Sequence, residues 1–163
     1  MPIKKLSLLV ATVALVFAFP SVVSAETVGV TGTVMETAPG TCSTPVFTGI
    51  VGRIECVGLE ETWTGGLTGT GVFDEAISLN FVSGELHISG TETFTGCVGD
   101  TCGGLEWAYE GSGKLDLETF AVSFIRGVNH VTGATGGLSG ARGSIGFSLI
   151  GEGPATYEGH VVL

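Results

Sequence analysis

The sequence predicts an all-β fold: a single closed antiparallel β-barrel of about eight strands, with a two-sheet β-sandwich as the alternative. Three observations predict it. Apolar and polar residues alternate with period two in segment after segment. Thr, Val, Ile and aromatic residues, which favour strands, dominate those segments. All 28 glycines lie from Gly29 onward. Helix interiors do not absorb so many, because each costs about 1 kcal/mol relative to Ala.

The first 25 residues read as a secretory leader. Lys4 and Lys5 precede an apolar run from Leu6 to Phe19, Pro20 ends it, and Val23-Ser24-Ala25 places small residues before a cut at Glu26. The run is shorter than the ~20 residues a spanning helix needs. Residues 26–163 then form one domain, as their number and even composition suggest. The expected location is periplasmic or secreted.

The strands follow in order. In 27–36, Val28, Val30 and Val34 alternate with Thr27, Thr31 and Thr33. Segments 48–58, 60–70 and 72–82 come next. In 85–95, Leu86 and Ile88 alternate with His87 and Ser89; in 105–116, Leu105, Trp107 and Tyr109 alternate with Glu106, Ala108 and Glu110. In 118–128, Phe120, Val122 and Phe124 share a register, and in 142–151 Ile145, Phe147 and Leu149 do. A last segment spans 154–163. These are nine segments for about eight strands, so one is a loop or a broken strand. Short Gly-, Asn- and Asp-containing links suit consecutive hairpins, and no helical crossover intervenes for a parallel sheet. Glycines within strands, as in Thr68-Gly69-Thr70-Gly71, fit places where a small barrel bends or backbones crowd.

Export gives the cysteines a meaning. Cys42, Cys56, Cys97 and Cys102 make an even set, and the local pairs Cys42–Cys56 and Cys97–Cys102 are expected as disulfides. Their spacing does not match a zinc site, and no metal or cofactor is expected. Sixteen acidic side chains face six basic ones, two of which, Lys4 and Lys5, lie in the leader. Such a chain repels nucleic acid phosphates. An outer-membrane barrel needs aromatic girdles and an outward apolar band, and the strand glutamates argue against one. No membrane insertion of the mature chain is expected.

Three stretches carry a resemblance. Residues 62–82 read T-W-T-G-G-L-T-G-T-G-V-F-D-E-A-I-S-L-N-F-V, residues 90–96 read G-T-E-T-F-T-G, and residues 133–147 read G-A-T-G-G-L-S-G-A-R-G-S-I-G-F. In this order they resemble the small bacterial barrel proteins related to allene oxide cyclase, among them a bacterial family of unknown function. The last stretch is also similar to a segment of plant dirigent proteins. The resemblance spans roughly residues 60–150 and implies an eight-stranded antiparallel barrel with a central cavity. It also implies a tendency to form homo-oligomers. Its motifs are Gly-rich and carry over no catalytic position.

Candidate site residues therefore come from chemistry. Glu92 interrupts a Thr/Phe strand, between Thr91 and Thr93. Pointing inward it is an acid or base with a raised pKa; paired with an Arg it only fixes the barrel. Arg126 shares a register with Phe124 and is a candidate for the interior. Arg142, in a glycine-rich turn, binds a carboxylate or sits on the surface. Trp107, Tyr109, Phe94, Phe120, Phe124 and Phe147 are the candidate cavity lining. Glu106 and Glu110 read as an outer face. His87, His130 and His160 are dispersed, and no nucleophile elbow or phosphate loop occurs. An eight-stranded interior is either filled by side chains or holds one small ligand. The sequence thus supports an exported barrel that binds or isomerises a small apolar ligand without a cofactor. It supports equally a non-catalytic barrel acting through its surface.

Overall fold

The computed structural model describes residues 25–163; the expected leader lies outside them. Ten antiparallel strands follow one another: β1 (Thr27–Ala38), β2 (Thr41–Cys42), β3 (Val46–Thr48), β4 (Val51–Gly65), β5 (Leu67–Asn80), β6 (Glu85–Val98), β7 (Thr101–Leu115), β8 (Val122–Gly136), β9 (Arg142–Ile150) and β10 (Ala155–Val162). From β4 to β10 each pairs with the next in sequence, as the short links require. The first strand closes the sheet. It pairs with β10 through Thr27–Val34 and with β4 through Gly32–Ala38. Eight strands thus form a closed antiparallel ring with no free edge among them. β2 and β3 are short additions, both paired to β4.

Several strand boundaries differ from the sequence reading. The segments 48–58 and 60–70 are not separate strands. β4 runs continuously to Gly65, and the break in alternation at Val57-Gly58 is a bulge, with the register shifting between Cys56 and Leu59. Gly58 has φ 66° there, and its N–H donates to Asp74 Oδ1 at 2.8 Å. The true turn is Gly65-Gly66. Likewise β8 continues past 128 to Gly136, through a stretch whose Thr and Gly content hid the alternation.

Both expected disulfides form. Cys42–Cys56 ties β2 to β4 and Cys97–Cys102 clasps the β6–β7 hairpin.

The interior has two unlike ends. At one end Trp63, Leu67, Phe94, Val98, Leu105, Trp107, Ile145, Tyr157 and Val161 pack into one buried cluster. Trp63 stacks on Trp107 at 6.4 Å between ring centroids and meets Phe94 edge-on at 6.2 Å. The loop between β8 and β9 folds under this end and inserts Leu138, which is 1% exposed. The Gly-rich 133–143 stretch is therefore a plug: its glycines let the loop turn tightly beneath the ring. Tyr157 braces the same end. Its hydroxyl donates to Thr64 O at 3.0 Å and accepts from Leu67 N–H at 2.8 Å, joining β10 to the β4–β5 turn over Gly32 of the intervening β1. Among the described residues the opposite end carries no such plug.

Candidate functional site

Between the plug and the open end lies a cavity of about 200 Å³. Period-two alternation decides which side chains reach it. In β4, Glu61 falls in register with Leu59 and Trp63; in β5, Glu75 falls with Phe73 and Ile77; in β6, Glu92 falls with Phe94 and Gly90. Glu36 of β1 lies opposite Glu61 across the closing seam. Four glutamates thus line one cavity, together with Trp63, Tyr109, Asn129 and Phe147. None of its lining residues is Lys, Arg or His.

Glu61 and Glu92 meet across the intervening β5. Glu61 is paired with Gly71, and a Cβ at Gly71 would collide with Glu92 Oε1 and press on Glu61 Cγ. The missing side chain is what lets the two carboxyl groups hydrogen-bond. Trp63 Nε1 also donates to Glu92 Oε1 at 2.9 Å. Glu92 is 4% exposed. Burial, then the charge of Glu61, pushes its pKa well above the ordinary carboxylate range. Burial raises Glu61 too, but hydrogen bonds from Glu92 and Trp63 oppose the rise. Both carboxyls are thus raised by burial, and as a pair they favour holding one proton between them.

Glu75 stands one layer nearer the open end. Its Oε2 accepts from the Tyr109 hydroxyl at 3.2 Å. Burial raises its pKa to about 7, against the lowering effect of Tyr109, and the charges of Glu36 and Glu61 add to the rise. The Tyr109 phenol is held neutral by burial and by Glu75. Glu75, Ile88 and Ile125 also line a second, largely apolar chamber of about 260 Å³, walled by Ile54, Ile77 and Leu86. The two spaces share these three residues, so the acidic cavity gives onto an apolar one.

The residues singled out from sequence fall in three groups. Glu92, Tyr109 and Phe147 reach the cavity. Phe94 and Trp107 are buried in the cluster at the sealed end instead, where the Trp107 indole N–H has no partner among the described residues. Phe120, Phe124, Arg126 and Arg142 are exposed. Phe120 sits in a turn with φ 57°, outside any strand register. Arg126 lies over the Phe124 ring at 5.8 Å, so both belong to the outer face of β8 and neither to the interior. The Arg partner considered for Glu92 is absent: among the described residues the one ion pair is Arg53–Glu55, on the surface. Glu106 and Glu110 are exposed, as read, and so are the three histidines. Glu36, Glu61, Glu75 and Asn129 were missed. The available signal was their place in the apolar register, a carboxylate or an amide where a core residue belongs.

The fold and site define an all-β ring protein with an acidic internal cavity. A crystal structure of a protein of unknown function from the DUF3224 family of Shewanella oneidensis MR-1 shares the fold. Its TM-score is 0.62 at 20% identity, over 83% of this chain and 96% of that one. No protein-family model matches the chain, and no curated protein does.

Proposed function

We propose that this chain is an exported small-molecule-binding β-barrel whose cavity moves a proton on its ligand, without a cofactor. The observation that supports this reading is the Glu61–Glu92 pair. Two carboxyl groups withdrawn from water without a cation are costly, and the adjoining plug shows how readily this ring fills with apolar side chains. A protonated carboxyl beside an ionised one is an acid and a base in one place. An isomerisation needs only that: the ionised member of the pair takes a proton from one ligand atom, the protonated member delivers one to another, and no electrons are gained or lost overall. The allene oxide cyclase-like resemblance is consistent with cofactor-free chemistry in such a cavity. The two disulfides are compatible with export.

A second reading has its own support. Around the open end Val46, Phe47, Phe81 and Phe120 are exposed, and Phe47 lies 5.6 Å from Phe81. An apolar rim of this kind marks a contact surface and fits a non-catalytic barrel that acts by association, including self-association. Native mass spectrometry of the mature protein from its own host separates the two. A small-molecule adduct lost on activation, and absent from a folded Glu61→Gln/Glu92→Gln variant, is expected from the cavity reading. A ligand-free oligomer that dissociates on Phe47→Ser/Phe81→Ser substitution favours the surface reading.

A further inference from the structure

We propose that the cavity is built for an organic cation: an ammonium group carried on an apolar body of about one ring. This rests on the ligand-binding reading and names its ligand class. The first observation is sign. β1, β4, β5 and β6 each send a glutamate toward the cavity, β7 sends Tyr109 and β8 sends Asn129, while β9 and β10 present only uncharged residues. The second is Asn129 itself. It is 5% exposed and lines the cavity, yet its amide makes no side-chain hydrogen bond among the described residues. Its cross-strand neighbour Tyr109 spends its hydroxyl on Glu75 and on Asp74 O. With no protein side-chain partner, the amide opens onto the cavity space. The amide oxygen of Asn129 is an acceptor held ready for a donor on the ligand.

The donor set points away from metal. Among the described residues no three His, Cys, Asp or Glu side chains converge closely enough to hold an ion. Acceptors spread around a cavity instead suit the several N–H groups of an ammonium. The walls include the aromatic residues Trp63, Tyr109 and Phe147, a residue type that attracts cations. Size limits the body: a cavity of ~150 Å³ holds benzene, and this one of about 200 Å³ has room for a ring and a short amine. Larger apolar bodies extend into the adjoining chamber past Ile88 and Ile125. A bound ammonium also replaces the proton that keeps the empty carboxyl pair from repelling itself.

Isothermal titration calorimetry at pH 7 with three near-isosteric probes tests the inference: 2-phenylethylammonium, 2-phenylethanol and phenylacetate. The ammonium is expected to bind at least about ten-fold tighter than the alcohol, with phenylacetate weakest and a proton released on ammonium binding. Asn129→Ala and Glu75→Gln are each expected to weaken the ammonium several-fold and the alcohol, which carries one donor and no charge, much less. Alcohol or phenylacetate binding as tightly as the ammonium overturns the cation class while leaving a ligand site in place. Binding by none of the three also overturns it, and the ligand reading is then judged by the native mass spectrum alone.

Discussion

A carboxylate inside a ring of strands is stabilised or penalised according to pH, and Glu75 gives the clearest case. Its folded pKa of about 7 lies above its ordinary value of 4.5. A raised carboxyl favours folding below the ordinary value, and that contribution is lost as pH rises through the folded value. Glu75 thus costs nothing at pH 4.5 and progressively more toward pH 7 and beyond, up to about 3 kcal/mol. Glu75→Gln keeps the acceptor for Tyr109 and removes the charge. It is expected to stabilise the protein at pH 8 and to change little at pH 4.5, as urea unfolding at the two pH values will show. Gly71 is the second residue on which the site turns. Gly71→Ala forces Glu92 and Glu61 apart, and overpacking of this kind costs about 1–3 kcal/mol. Chemical denaturation checks the cost. Carboxyl chemical shifts followed against pH should show the coupling between Glu61 and Glu92 weakened.

Elements are held in register by a few cross-links whose worth differs. Cys42–Cys56 bridges residues 14 apart and Cys97–Cys102 bridges residues 5 apart. A longer closed loop restrains the unfolded chain more, so removing the first pair is expected to cost about 3 kcal/mol and the second about 2 kcal/mol. Double Cys→Ala variants compared by urea unfolding test the ranking. Tyr157 is a non-covalent counterpart. Tyr157→Phe leaves the Leu67 N–H, buried in the plug, without its acceptor, and is expected to destabilise by about 1–3 kcal/mol. Hydrogen exchange at the Leu67 amide should accelerate more than at amides near the open end. An equal change throughout would mean that the brace is not local.

At the scale of the whole molecule, closure governs how the chain behaves. β1 cannot complete its pairing until both β4 and β10 are in place, so the seam joins the two ends of the domain. Such long-range pairing is slow to find, and folding on the ms–s scale is expected for an all-β chain of this kind. Stopped-flow refolding followed by tryptophan fluorescence reads it directly, because Trp63 and Trp107 both lie in the plug. A microsecond phase carrying the full amplitude would contradict the closure-limited view. The two ends then divide the work: one is sealed by aromatic residues and Leu138, the other stays apolar and open beside the carboxylates.

The sequence by itself determined the strand type, the approximate strand number, the antiparallel order and both disulfide pairs. Alternation, turn residues and short loops are local signals, and each pairs neighbours along the chain. It also marked Glu92, because a charge stood alone in a Thr/Phe strand. The tertiary structure alone decided the rest. Glu61 and Glu92 are 31 positions apart in sequence number and belong to strands that do not pair. The register of β4 and β6 on the β5 between them, and the absent side chain of Gly71, bring their carboxyls together. Arg126 and Phe124 shared a register that looked inward from composition, yet both face solvent, because which face of β8 is inside depends on the bulges that set its register against β7. Alternation says that two faces exist. The closed ring decides which one is the cavity.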